Sequence, residues 1–260
     1  MYELSVFMPT IRTHLHEAWL SSLEDSCNRH KFEVVLCGPF EPPAAVLQKE
    51  NVTWIKSFAS PTVCAQMAML ACKGDYLLHL VDDALFVSNS ISDEMDKITS
   101  QSVVGLRYNE GQGHTGTELE NERWVAGHAY DDWDGIDNSW KLCGLFIIPK
   151  ALIIKYGGFD CIFEYFSNAL TDLLFRIQNT DPAIDFYLSK RVICSVDHMP
   201  SMTGDHGAMH MANNKDVGIF RSFWHLTTDR STVDINNFNN NEKIWSFRFK
   251  GQETKYEDLV

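Results

Sequence analysis

Positive charge is scarce in this chain. Its 260 residues carry 22 lysines and arginines against 35 aspartates and glutamates, a formal charge of −13. A field of that sign repels nucleic acid and anionic membrane unless a local basic patch overrides it. No stretch approaches the roughly 18 unbroken apolar residues that span a bilayer. The opening MYELSVFMPT has no basic segment followed by a long apolar run, so no secretion signal is expected. There is no CxxC pair among the seven cysteines at 27, 37, 64, 72, 143, 161 and 194. An odd count at wide spacing argues against zinc fingers and disulfide frameworks, and for reduced thiols in a cytoplasmic protein. A phosphate-cradling glycine loop is missing too. MPTIRTHL, after the first apolar run, has no glycine, and the glycines of GLRYNEGQGHTG follow no such pattern.

What remains is a composition, 45% hydrophobic and 12% aromatic, suited to a sizeable core. Up to Arg107 short apolar runs alternate with helical patterns. LSVFMP, FEVVLC, VTWIKSF, DYLLHLV and SVVGLR read as strands. Residues 14–29, TVCAQMAMLAC (capped by Ser60 or Thr62) and 91–99 read as helices. This alternation predicts a mostly parallel sheet covered on both faces, with DYLLHLV most central. Ligands of such sheets bind at the carboxyl ends of strands, where Pro9–Thr10, Cys37–Gly38 and Asp82–Asp83 fall. The pattern changes across 108–138, an acidic stretch with five glycines that reads as a lid or binding loop. LCGLFIIP, a helix over 168–179 and RVICSV follow. The tail from about residue 226 reads as irregular, with an aromatic anchor in IWSFRF.

GDYLLHLVDDALF, residues 74–86, ends an apolar strand on two adjacent carboxylates, and burying either without a partner is costly. Asp82 and Asp83 suit a hard divalent cation such as Mg²⁺ or Mn²⁺, and suit a turn or helix cap as well. Asp172 lies roughly 160° around its helix from the stripe Leu170, Leu173, Leu174 and Ile177, at about 100° per residue. It is therefore a candidate general base facing a crevice, or one half of an ordinary i,i+4 pair with Arg176. His198 follows the last apolar run, and His206 and His210 stand nearby, all candidate metal ligands or plain polar residues. Trp124, Trp133 and Trp140 suit stacking on a sugar or base as well as packing. KIWSFRFKGQETK alternates basic and aromatic residues, a pattern that also serves single-stranded nucleic acid.

The order SVFMPTIR, FEVVLCGP, VTWIKS, SPTVCAQMAMLACKGDYLLHLVDD, GGFD and TDLLFRIQ resembles the family-2 glycosyltransferases of GT-A fold, over roughly residues 3–225. The resemblance implies a single GT-A-like α/β domain over 1–260. Residues 1–107 would form the donor-nucleotide half, 108–225 the acceptor and catalytic half, and 226–260 a C-terminal extension. It further implies that Pro9, Thr10 and Arg12 border the base and ribose of a nucleoside-diphosphate sugar, with Gly38 and Gln66 at two further donor positions. The family's Asp-x-Asp falls on Val81, Asp82 and Asp83, so its first aspartate is absent. Asp83, aided by Asp82 and with His198 completing the site, would hold Mn²⁺ or Mg²⁺ on the diphosphate. Asp172 would deprotonate an acceptor hydroxyl, of a glycan or another compound, and the anomeric centre would invert. The rivals are a catalytically decayed sugar-nucleotide or glycan-binding module and a sugar nucleotidyltransferase.

Overall fold

A computed structural model describes residues 1–110, 125–126, 141–196, 204–226, 230–235, 245 and 247. The chain runs β1 (Leu4–Pro9), a 3-10 turn at Thr13–Leu15, α1 (His16–Ser26), β2 (Phe32–Gly38), α2 (Ala44–Leu47) and β3 (Val52–Lys56). Next come α3 (Pro61–Ala71), β4 (Tyr76–His79), β5 (Ala84–Phe86), α4 (Ser90–Met95) and β6 (Ser102–Glu110). After β7 (Val125–Ala126) follow β8 (Lys141–Leu142), β9 (Phe146–Pro149), α5 (Lys150–Lys155), α6 (Phe166–Thr180), β10 (Asp185–Val196) and α7 (Gly204–Leu226).

Eight strands form one sheet in the order β3-β2-β1-β4-β9-β6-β10-β5, and β7 and β8 form a separate two-stranded ribbon. The pairs β1–β2, β2–β3, β1–β4 and β6–β10 are parallel, whereas β9 and β5 run antiparallel to their neighbours. Apolar residues on both sides of β1, β2 and β4 explain their unbroken runs, because helices cover both faces. Phe7, Val35 and Leu77 pack on one face against α3 and α6. Val6, Val34, Leu36 and Leu78 pack on the other, against Trp19 and Leu23 of α1. The start of α3 is set by Ser60, whose hydroxyl accepts the Val63 N–H at 3.4 Å, with Pro61 in the first turn.

The expected elements of the first 107 residues are present, with shorter helices at α1 and α4 and with α2 and β5 added. LCGLFIIP divides between β8 and β9, and RVICSV is the end of a 12-residue strand. The helix α7, 23 residues long, precedes the tail. Most of 108–138 lies outside the described residues, as do Trp124, Trp133, Trp140 and His198. No disulfide joins the cysteines, and six of the seven are buried. Among the described residues no helix is long and apolar enough to cross a membrane.

Candidate functional site

The parallel strands β1, β2 and β4 deliver their carboxyl ends to one edge, where Pro9, Thr10, Arg12, Gly38, Asp82 and Asp83 of the predicted donor residues lie. Gly38, at the end of β2, lies so close to β1 that a Cβ on it would fall 1.9 Å from the Thr10 carbonyl oxygen. Only glycine permits this approach. The turn between β4 and β5 carries Asp82 and Asp83, both almost fully buried. Asp82 Oδ2 accepts the Thr10 hydroxyl at 2.9 Å and the backbone N–H groups of Ile11 and Arg12 at 3.2 and 3.1 Å. Its Oδ1 accepts Arg12 Nε at 2.7 Å and also Arg12 Nη2. Arg12 Nη1 donates to Asp83 Oδ2 at 2.8 Å. His16 completes the chain: Thr10 gives its one hydroxyl proton to Asp82, so His16 Nε2 donates to Thr10 Oγ1 at 2.7 Å.

Burial alone would raise the Asp82 carboxyl, but the Arg12 charge and the bonds from Arg12 and Thr10 outweigh it and hold it below its usual range. Burial raises Asp83, helped by the Asp82 charge and opposed by Arg12. Burial likewise lowers His16, against the pull of Asp82, so its ring is neutral at pH 7. Beside these strand ends lies a third apolar cluster containing Ile11, Phe40, Phe58, Tyr165 and Trp245. The Trp245 backbone N–H donates to the Phe58 carbonyl at 2.8 Å. Trp245, in the aromatic anchor expected in IWSFRF, is buried and not available to stack on a nucleic-acid base.

Asp82 and Asp83, the described residues predicted at the metal, are both engaged by Arg12. Asp82 receives five donor groups and serves as the brace of the 10–12 loop, which leaves it ill-suited to a cation. Asp83 is already paired with Arg12. Among the described residues no three His, Cys, Asp or Glu side chains lie together as a metal cluster. The expected partner His198 falls outside those residues.

Two further predicted residues sit differently from expectation. Gln66 is buried, with Oε1 accepting the Phe159 N–H at 2.8 Å and Nε2 donating to the Ile235 carbonyl at 3.2 Å. Its amide braces the GGFD segment and the tail. Asp172 faces neither open crevice nor solvent: α6 is buried from Asn168 to Ile177. Asp172 Oδ2 accepts Arg176 Nε at 2.9 Å, and Oδ1 accepts Trp224 Nε1 at 2.9 Å and Arg230 Nη1 at 2.6 Å. Burial raises this carboxyl while Arg176 and Arg230 pull it down. The other end of Arg230 reaches Asp160 at 2.6 Å, and its guanidinium lies 3.9 Å from the Phe223 ring centroid. Neither Trp224 nor Arg230 was singled out by the sequence. A buried carboxylate needing more than one donor was the only available hint.

No known protein family matches the chain, and no curated protein matches it. Solved structures do. S. aureus TarS 1-349 matches at 17% identity and a TM-score of 0.51, over 75% of this chain and 60% of that one. The same protein in complex with UDP matches at 16% identity and a TM-score of 0.51, over 76% of this chain and 61% of that one. Glucosyl-3-phosphoglycerate synthase from Mycobacterium tuberculosis, in complex with phosphoglyceric acid, matches at 13% identity and a TM-score of 0.54, over 85% and 79%. The chain therefore spans only about three-fifths of TarS 1-349. These neighbours are GT-A glycosyltransferases, and the fold of this chain, with its parallel strands β3-β2-β1-β4, is of the GT-A type.

Proposed function

We propose that the chain is a glycosyltransferase that moves a hexosyl or pentosyl group from a nucleoside-diphosphate sugar to an acceptor hydroxyl, with inversion. The observation that carries this reading is the meeting of Pro9–Arg12, Gly38 and Asp82–Asp83 at the carboxyl edge of the parallel strands, in a fold of GT-A type. Strand ends of an open α/β sheet are where such folds take nucleotides. Thr10 and Arg12 are held by Asp82, so the loop that would border the base and ribose is ordered before any ligand arrives. That preorganisation lowers the cost of binding. The UDP held by a structure of the same fold makes uridine nucleotides the first donors to test. The phosphoglyceric acid bound by another makes a small hydroxy acid one of the acceptors to test.

In-line attack on the anomeric carbon needs a base within reach of the acceptor hydroxyl. Asp172 meets that need only if Arg230 withdraws from Oδ1 and opens the carboxylate. The enclosure of Asp172 therefore favours one alternative, a sugar-nucleotide-binding module without turnover. A single assay separates the two. The chain is incubated with a panel of nucleoside-diphosphate sugars and hydroxyl acceptors, and released nucleotide is measured. Free nucleoside diphosphate supports the transferase. Ligand-dependent thermal stabilisation without release supports the module. Release of pyrophosphate from a sugar phosphate and a nucleoside triphosphate overturns both in favour of nucleotidyl transfer.

A further inference from the structure

The carboxylates of Asp82 and Asp83 already share a cation, and it is Arg12. Asp82 and Asp83 are buried, whereas the Arg12 side chain that joins them is 32% exposed. Nε, Nη2 and Nη1 each serve one aspartate bond. Among the described residues three of the five guanidinium N–H groups are used, and two remain. The group stands beside Pro9, Thr10 and Gly38 at the strand edge, where the metal of a metal-dependent donor site was expected.

We propose that Arg12 is the protein's own cation for the donor diphosphate, so that the nucleotide binds without a divalent ion. This rests on the nucleotide-sugar reading and deepens it. The guanidinium keeps its charge at any working pH, and its planar fork matches phosphate oxygens. The two aspartates share its charge, so Arg12 acts more by direction than by net field. They fix the fork, and the unused N–H groups take the phosphate oxygens. Asp82 suits that task because the Ile11 and Arg12 amides and the Thr10 hydroxyl also meet its charge. Asp82 and Asp83 are then positioning residues, and Arg12 is the ligand-binding one. Lysine in place of Arg12 would keep the charge and lose the fork.

The test is calorimetric titration of the full chain with UDP, and with GDP, ADP and dTDP in parallel, once in EDTA and once in manganese chloride. The expected result is one nucleotide binding with equal affinity in both buffers. Arg12→Lys and Arg12→Gln should each weaken it by about tenfold or more. Circular dichroism and melting curves confirm that each variant is folded, and Arg12→Lys guards against a fold defect from leaving Asp82 without its cation. Binding seen only with manganese, or folded variants that bind as tightly as the parent, would overturn the role of Arg12 and leave the nucleotide-sugar reading standing. Absence of binding by every nucleotide in both buffers would overturn the nucleotide reading itself, and the inference with it.

Discussion

Arg230 and Asp172 are 58 positions apart in sequence and meet through a 2.6 Å hydrogen bond inside the core. With Arg176 on the other carboxylate oxygen and Trp224 beside Arg230, the carboxylate is enclosed by three donors from α6, α7 and the 230–235 segment. Arg176 is itself fully buried and also donates to the backbone carbonyls of Tyr156 and Gly158. The group holds the GGFD segment, α6 and α7 in register.

Asp172→Asn should therefore cost stability. Breaking a buried ion pair leaves a charge without its partner, at about 3–5 kcal/mol. Urea denaturation measures it. An exposed i,i+4 pair would lose only about 0.2–0.5 kcal/mol, so a loss below about 1 kcal/mol would show that the cluster holds little.

Asp82→Ala removes the acceptor for two backbone amides and one hydroxyl. The expected loss is about 1–3 kcal/mol, with faster hydrogen exchange at the Ile11 and Arg12 amides. Asp83→Ala removes one bond to Arg12 and should leave those amides protected. Equal exchange in the two variants would show that the aspartates do not divide the work in this way.

His79 makes a pH prediction. Burial lowers it from 6.5 to about 4, although its Nδ1–H donates to the Gly144 carbonyl at 3.1 Å. Below 6.5 the unfolded chain takes up a proton that the folded ring refuses. Stability should fall as pH drops from 6.5 toward 4, with a slope approaching about 1.4 kcal/mol per pH unit from this group. His79→Phe keeps a ring against Phe146 and Phe166 and should flatten that part of the curve, even if its maximum is lower. An unchanged acid slope would assign the effect to other groups.

Two glycines should respond in opposite directions to alanine. Gly157 has φ +84°, and a Cβ there would fall 1.9 Å from the Val233 carbonyl oxygen, so Gly157→Ala should destabilise by more than about 1 kcal/mol. Gly218, exposed on α7, has nothing within 4 Å of its Cβ position. Gly218→Ala should stabilise by about 0.5–1 kcal/mol. Melting temperatures of the two variants decide it.

The first 107 residues were legible because their strands β1, β2 and β4 are buried on both faces and so read as plain apolar runs. The Ser60–Pro61 pair marked the start of α3 for a mechanical reason, a hydroxyl cap followed by a residue without an N–H. Strand direction carries no such signature, which is why β9 and β5 were not foreseen as antiparallel. The helix α7 had its signal in Ala208, Ala212, Phe220 and Trp224, spaced by multiples of four and all buried. Asp216, buried at the missing step, interrupts the pattern. Its carboxylate accepts the Glu164 and Tyr165 amides at 2.7 Å each. Asp172 misled for a related reason. Its angle from the leucine stripe was right, but a wheel does not distinguish solvent from a second buried face, and α7 with Arg230 covers that face. The strand-end aspartates were found from sequence, while their pairing with Arg12 needed the fold, because 70 positions separate Arg12 from Asp82.

Residues 230–235 reach back into earlier parts of the chain: Arg230 to Asp160 and Asp172, Val233 against Gly157, and Ile235 to Gln66. During synthesis these residues leave the ribosome after every strand of the sheet has formed its sequence. Until then Asp172 lacks its last cation, and Gln66 lacks the carbonyl it donates to. Translation thus imposes an order: the parallel strands β1 to β4 can settle early, and the surroundings of Asp172 close only when the chain has grown past Ile235.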